Sequence, residues 1–224
     1  MLYELSLKFS PSLARYDDSI PRLQFEPFTR IQEGDLNNQS SIQLFLHLGT
    51  HLDAPYHFCE NGQTIDELNI SDFIFHKALL IDAKCGKGGR IDSTFLKKQN
   101  RIQEADILLI NFGYCHYMEQ ESVYRDDFPA LTADAAAYIR NELPNIKAIA
   151  IDTLSVDGTD GFVTGFANHH TLLDTKDDSR AILIYECVDM RPIGNKTGFF
   201  RLYGIPIRIV GADASPVTVI AEID

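Results

Sequence analysis

Tryptophan is absent from this chain of 224 residues, and methionine occurs three times. Any aromatic surface must therefore be built from its 14 phenylalanines and nine tyrosines. Cysteine is sparse, and Cys59, Cys85, Cys115 and Cys187 are scattered without a C-x2-C pair, which excludes a disulfide framework or thiolate zinc knuckle and fits free thiols in a reducing cytosol. Positive charge is scarce too: 20 Lys and Arg against 32 Asp and Glu give a net charge of -12. That balance argues against a nucleic-acid groove or an anionic membrane as partner. Neither a signal peptide nor a stretch of about 18 apolar residues is visible. The expectation is a soluble cytoplasmic protein.

What is abundant is histidine in one place. The segment Leu44–Phe58, LFLHLGTHLDAPYHF, holds His47, His51, Asp53 and His57, and therefore three of the chain's seven histidines. Offsets of four, two and four residues are all even, so an extended strand would put the four side chains on one face. Leu44, Leu46, Leu48 and Leu52 would line the other. A helix would also pair His47 with His51, but Gly49 and Pro55 count against one. The segment is expected to be a strand running into a loop. Imidazole and carboxylate without thiolate suit zinc, manganese or another borderline divalent ion. A set of ordinary solvent-facing or satisfied core histidines is the alternative, and four such groups on one face weigh against it.

Along the chain, apolar alternation predicts strands at Leu2–Phe9 and Phe25–Ile31, the latter joined to the histidine segment by a polar turn at 33–40. A short helical stretch is expected around Ile65–Leu68. Buried strands are expected at Phe75–Ala83, Asp106–Phe112, Ala148–Thr153 and the run ending in Glu186. Short helices are expected at Asp92–Lys98 and, capped by Thr132 and stopped by Pro144, over Ala135–Leu143. The glycine-rich CGKGGR after Lys84 lacks the order of a phosphate loop and reads as a flexible connection. His116, in the long 113–129 segment, has no matching motif and reads as surface or packing. That segment has the length of a lid or a partner contact. Strand runs with few long helices imply a mixed α/β fold, with residues 1–224 forming one domain.

The string HLGTHLDAPYHF closely resembles the H-x-G-T-H-x-D-A-P-x-H-F signature of the cyclase-like metal-dependent hydrolases, which include bacterial kynurenine formamidases and isatin hydrolases. Later segments match in order. His169-His170-Thr171-Leu172-Leu173 resembles the family's H-x-x-L-L helix start, which implies His169 as a ligand with His170 as the fallback. Glu186 matches the glutamate that completes the metal site. The loop after β-strand one, with Tyr16, matches the one that carries an aromatic residue towards the substrate. The segment Asp152–Asp157 resembles D-T-x-S-x-D, which places both aspartates near the site, and Asp157 is taken as a loop former. The closing Gly211-Ala-Asp213-Ala-Ser215-Pro216 matches a structural turn. A longer surface loop than usual is expected at 174–181.

The resemblance implies a β/β/α swivelling-type fold, a homodimer or tetramer, and one or two divalent ions, Zn2+ or Mn2+, held by His47, His51, Asp53, His169 and Glu186. Asp53 and Glu186, having two oxygens each, would bridge. His57 would be the general acid/base that protonates the leaving amine, with a further ligand as its alternative role. The implied reaction is hydrolysis of a small amide C–N bond, of the N-formylkynurenine type. A cyclic amide such as isatin, a lyase or cyclisation on the same site, and a non-catalytic binder are the alternatives.

Overall fold

The computed structural model describes residues 1–175 and 180–223. Its strands are β1 (Leu2–Glu4), β2 (Gln24–Thr29), β3 (Gln39–Gln43), β4 (His51–Asp53), β5 (Ile74–Asp82), β6 (Arg90–Ile91), β7 (Ile107–Asn111), β8 (Ala130–Leu131), β9 (Ala148–Ile151), β10 (Leu183–Glu186), β11 (Phe199–Pro206) and β12 (Ala214–Glu222). The α-helices are α1 (Ser93–Lys97), α2 (Glu121–Tyr124), α3 (Ala133–Glu142), α4 (Gly161–Thr164) and α5 (Ala167–Leu173). The fold is mixed α/β, the class expected. None of these helices is long and apolar enough to cross a membrane.

The main sheet runs β1-β12-β11-β5-β7-β9-β10-β4, and β4 also pairs with β12, which closes seven strands into a barrel with β1 appended. Strands β5, β7, β9 and β10 are mutually parallel, and their apolar runs are continuous because both faces are covered. Ile107, Leu109, Ala148 and Ala150 point into the barrel with Phe75, Tyr185 and Val219. Leu108, Ile110, Ile149 and Ile151 point outward and meet Leu96, Ile139 and Leu172 from α1, α3 and α5. Each such side chain contributes about 1.5–3 kcal/mol when fully buried. These buried faces fix the helices against one side of the barrel.

Helix α3 begins as its sequence predicts. The Thr132 hydroxyl accepts from Ala135 N at the N-cap. Asp134 in the first turn accepts from Ser93 N, and hydrogen bonds from the Ser93 and Thr132 side chains, with that backbone bond, hold its carboxyl down at about 2. The expected helix at 92–98 is α1, capped by Asp92.

Two local expectations change. Strand β1 ends at Glu4 rather than Phe9, and the stretch at 65–68 is a turn, followed by a 3-10 helix at Ile70–Phe73. The loop expected at 174–181 falls partly on 176–179, outside the described residues. Strands β2 and β3 form a separate hairpin in which no residue is buried, and Phe25, Phe28 and Ile42 are exposed on it.

Candidate metal centre and cavity

The histidine segment is not one long strand. Only His51–Asp53 is extended; residues 44–50 turn through Gly49, whose φ of 66° is a left-handed conformation natural to glycine, and His57 lies in a 3-10 turn at Pro55–His57. The even spacing therefore does not bring the four side chains together. The barrel closure does. β4 lies between β10 and β12, with His51 opposite Glu186 and Asp53 opposite Ala214. Leu52 joins the barrel interior, so its neighbours His51 and Asp53 face outward, towards α5.

His51 Nδ1 lies 2.8 Å from the Gly49 carbonyl, which can only accept, so this nitrogen carries the proton and Nε2 offers its lone pair. That Nε2 is buried, has no hydrogen-bond partner, and lies 3.4 Å from Asp53 Oδ1 and 3.5 Å from Glu186 Oε2. Both oxygens of the wholly buried Asp53 also lack a directed hydrogen bond, although His47 Nδ1 is 2.9 Å from Oδ1. A buried polar atom left without a partner costs about 1–3 kcal/mol, and more for a charge. A cation among these atoms removes that cost, so the residues present fit a divalent ion.

Helix α5 brings His169 to the same place. Its Nε2 lies 3.6 Å from Asp53 Oδ2 and 3.5 Å from Glu186 Oε1. Its Nδ1 meets Asp157 Oδ2 at 2.5 Å. Asp157 also accepts from the backbone N–H groups of Asn168 and His169, so one carboxylate caps the first turn and aims the ring. The reading of Asp157 as only a loop former is thus too modest. His170 is exposed and packs beside the Phe58 ring, away from Asp53. Glu186, at the end of β10, accepts from Val156 N through Oε1.

The sequence predicts a structural turn role for Asp213, but the structure places its carboxylate against two histidines of the site. Its Oδ2 lies 2.9 Å from His47 Nε2 and 3.2 Å from His57 Nδ1. Nothing in Gly-Ala-Asp-Ala-Ser-Pro distinguishes such a residue from an ordinary turn former; only the closure of β12 on β4 brings it here. Ser215 is structural, its hydroxyl bonding backbone carbonyls.

Two triplets of ligand atoms result. His47, Asp53 and His57 form one and His51, Asp53 and Glu186 the other, each within 4.8 Å, with Asp53 common to both. In the metal-free protein, protons stand in for the cation. Burial opposes ionisation of Asp53, but His51, His47 and His169 outweigh it and hold its carboxyl well below the usual range. Burial likewise pulls His47 down, yet Asp53 and Asp213 raise it to about 10. Hydrogen bonds from His47 and His57 hold Asp213 well below an ordinary carboxylate. His169 is desolvated, but Asp157, Asp53 and Glu186 raise it well above a free imidazole.

A cavity of about 320 Å³ opens over His47, His57, His169 and Glu186. Its walls are Phe45, Phe58, Phe162, Phe166, Leu154 and Tyr16. Tyr16 donates to the Gly158 carbonyl at 2.9 Å and meets Phe162 edge-on at 5.8 Å. Burial, with Glu186 and Asp157 nearby, pushes its hydroxyl up to about 12, so it remains a donor. The loop bearing Tyr16 is held by Arg15 and Arg22, both paired with Glu121 of α2. The 113–129 segment is therefore a packed brace: Tyr124 donates to the Asp152 carbonyl, and Phe128 touches Tyr16. His116 lies in a separate surface cleft with Lys84 and Tyr117. Asp152 organises the turn after β7, accepting from Phe112, Tyr114 and Cys115 N–H groups, and does not line the cavity.

The model of the family described as "Putative cyclase" matches residues 3–158. The chain belongs to the cyclase family. Kynurenine formamidase of Bacillus cytotoxicus is 26% identical to it over 219 residues, covering 97% of this chain and 95% of the relative. Cyclase-like protein 1 of Arabidopsis thaliana is 25% identical, covering 96% and 82%. Among solved structures, isatin hydrolase A of Ralstonia solanacearum superposes with a TM-score of 0.84 at 17% identity, covering 100% of this chain and 92% of that one. In this cyclase-family chain His47, His57, His169 and Glu186 line the cavity, and the buried His51 and Asp53 lie against them.

Proposed function

We propose that this cyclase-family chain is a metal-dependent amidohydrolase that cleaves a small amide C–N bond beside an aromatic ring, an arylformamidase-type reaction. The observation that carries the reading is Asp53, a buried carboxylate whose oxygens lack directed hydrogen bonds and which is shared by two His/carboxylate triplets whose other members His47, His57 and Glu186 line an aromatic-walled cavity. His47, His51, Asp53, His169 and Glu186 would hold one or two divalent ions. Nitrogen and oxygen donors without thiolate favour Zn2+ or Mn2+. Bound there, such an ion supplies Lewis acidity, polarising a carbonyl and making water nucleophilic at neutral pH.

The chain's own residues do the rest. Phe45, Phe58, Phe162 and Phe166 hold an aryl group flat and exclude water from its faces. Tyr16 keeps its proton and fixes the loop that closes the cavity. His57 has Nδ1 engaged by Asp213, which leaves Nε2 to trade a proton with the substrate nitrogen. Expelling an amine requires that proton, since an amide anion is too poor a leaving group.

The remaining features of the reading are an assembly and a compartment. Exposed Phe25, Phe28 and Ile42 on a hairpin with no buried residue support a homo-oligomer, because an isolated two-stranded hairpin is marginal in water. Four unpaired cysteines suit a cytoplasmic setting.

The test is hydrolysis of N-formylkynurenine and of isatin by metal-stripped protein, before and after adding Zn2+ or Mn2+, with metal content measured alongside. Turnover restored by metal and lost in His57→Ala supports the reading. Bound metal with no hydrolysis of any aryl amide overturns it.

A further inference from the structure

The cavity is closed at His169 and Glu186, both 4% exposed, and open where Phe162 is 70% exposed. Phe162 meets Tyr16 edge-on at 5.8 Å, and Asp17, Ser19 and Ile20 of the same loop also line the cavity. Among the described residues Asp17 and the buried Glu186 are the carboxylates that line the cavity, and no Lys or Arg lines it. Asp17 is not a loosely placed acid: its Oδ1 accepts from Ser19 N at 2.7 Å and from the Ser19 hydroxyl at 2.5 Å. Ser19 also lines the cavity, so this Asp–Ser turn forms part of its rim.

The guanidinium groups near this rim are already engaged elsewhere. Arg15 pairs with Glu121 and Asp18, Arg125 with Asp18, and Arg90 with Asp160. A carboxylate on the substrate's tail would leave water, meet no free cation and lie near Asp17. A neutral tail loses nothing comparable, and an ammonium gains a partner.

We infer that the cavity rim, through Asp17, selects aryl amides whose tail is neutral or cationic and rejects those whose tail carries a carboxylate. N-formylkynurenine carries both an ammonium and a carboxylate on its tail, whereas N-formylkynuramine lacks only the carboxylate. The second is therefore the better ligand class for this chain. The inference deepens the amidohydrolase reading and rests on it for turnover, though not for binding.

The experiment compares the two formamides as substrates of metal-loaded protein, and kynurenine with kynuramine as ligands by calorimetry. The same pairs are run on Asp17→Lys and, should that variant misfold, on Asp17→Asn. Wild type is expected to favour the compound without carboxylate by tenfold or more in kcat/KM, chiefly through KM, and in Kd. The preference should shrink severalfold in Asp17→Asn and approach unity or reverse in Asp17→Lys. Equal or better use of the carboxylate-bearing compound overturns the inference, as does a preference that neither variant changes. If neither formamide is hydrolysed, the amidohydrolase reading fails for this substrate type, and the ratio of the two Kd values still decides the charge selection.

Discussion

Asp157 and His169 meet at 2.5 Å between Oδ2 and Nδ1, and this contact turns the ring so that Nε2 faces Asp53 and Glu186. The same carboxylate accepts two N–H groups at the start of α5. Removing its charge therefore loosens both the ring and the helix end. Asp157→Asn is expected to weaken Zn2+ or Mn2+ binding by about 10–100-fold while leaving the fold intact. Competition with a chelator of known affinity measures this, and unchanged affinity would show that His169 does not depend on Asp157.

His57 and Asp213 form the second such pair, but with a different expected outcome. His57→Ala should lower kcat by about 10²–10⁴-fold, the range typical of a lost general acid. Metal content should stay near that of the wild type. A His57 variant that loses metal in proportion to activity would instead identify His57 as a ligand, in keeping with the His47–Asp53–His57 triplet. Asp213→Asn should reduce kcat less than His57→Ala and shift the pH profile, because it leaves the imidazole in place without its partner.

The metal-free centre makes stability depend on pH with a definite sign. His47 is raised from 6.5 to about 10, so its contribution is complete below about pH 6.5 and is lost as pH rises through the higher value. His169 acts in the same direction. Asp53 and Asp213 are lowered from 3.8, so their contributions are complete above that value and are lost only as pH falls well below it. Metal-free protein should therefore melt at a lower temperature at pH 9 than at pH 6. Metal must displace the imidazole protons, so adding Zn2+ in weak buffer at pH 7.5 should acidify the solution. A metal-free Tm that rises from pH 6.5 to 9 contradicts this protonation scheme.

Phe166 opens α5 with φ of 53°, an unusual conformation for a bulky side chain, and its ring lies over Gly161. A Cβ at Gly161 would fall 2.5 Å from Phe166 Cε1, so Gly161→Ala must push the ring out of the cavity wall. The expected result is a rise in KM with metal affinity unchanged, and a stability loss of about 1–3 kcal/mol in denaturant titration. An unaltered KM would mean that Phe166 does not contact the substrate.

Legibility in the sequence followed the range of the interactions. The parallel strands and helices α1 and α3 were readable because burial on two faces and an N-cap are local signals, as in Leu108, Leu109, Asp92 and Thr132. The ligand types were readable too, but through an incorrect geometry. His47 and His57 are brought to Asp53 by a turn at Gly49 and a 3-10 turn, not by the two-residue repeat of a strand. Asp213 was beyond local reading because it reaches His47 only through pairing of β4 with β12, more than 160 residues away in the chain. Asp157 was visible as part of a motif, while its role depended on where α5 packs. The barrel closure was likewise a property of long-range pairing that no segment carries alone.

The most direct test of the account is metal content per chain, by elemental analysis, of wild type and Asp53→Asn after stripping and reloading with Zn2+ or Mn2+. Asp53 belongs to both ligand triplets, so the account predicts one or two equivalents in wild type and nearly none in the variant, with the fold retained by circular dichroism. A wild type that takes up no metal, or an Asp53→Asn protein that retains the full complement, contradicts it.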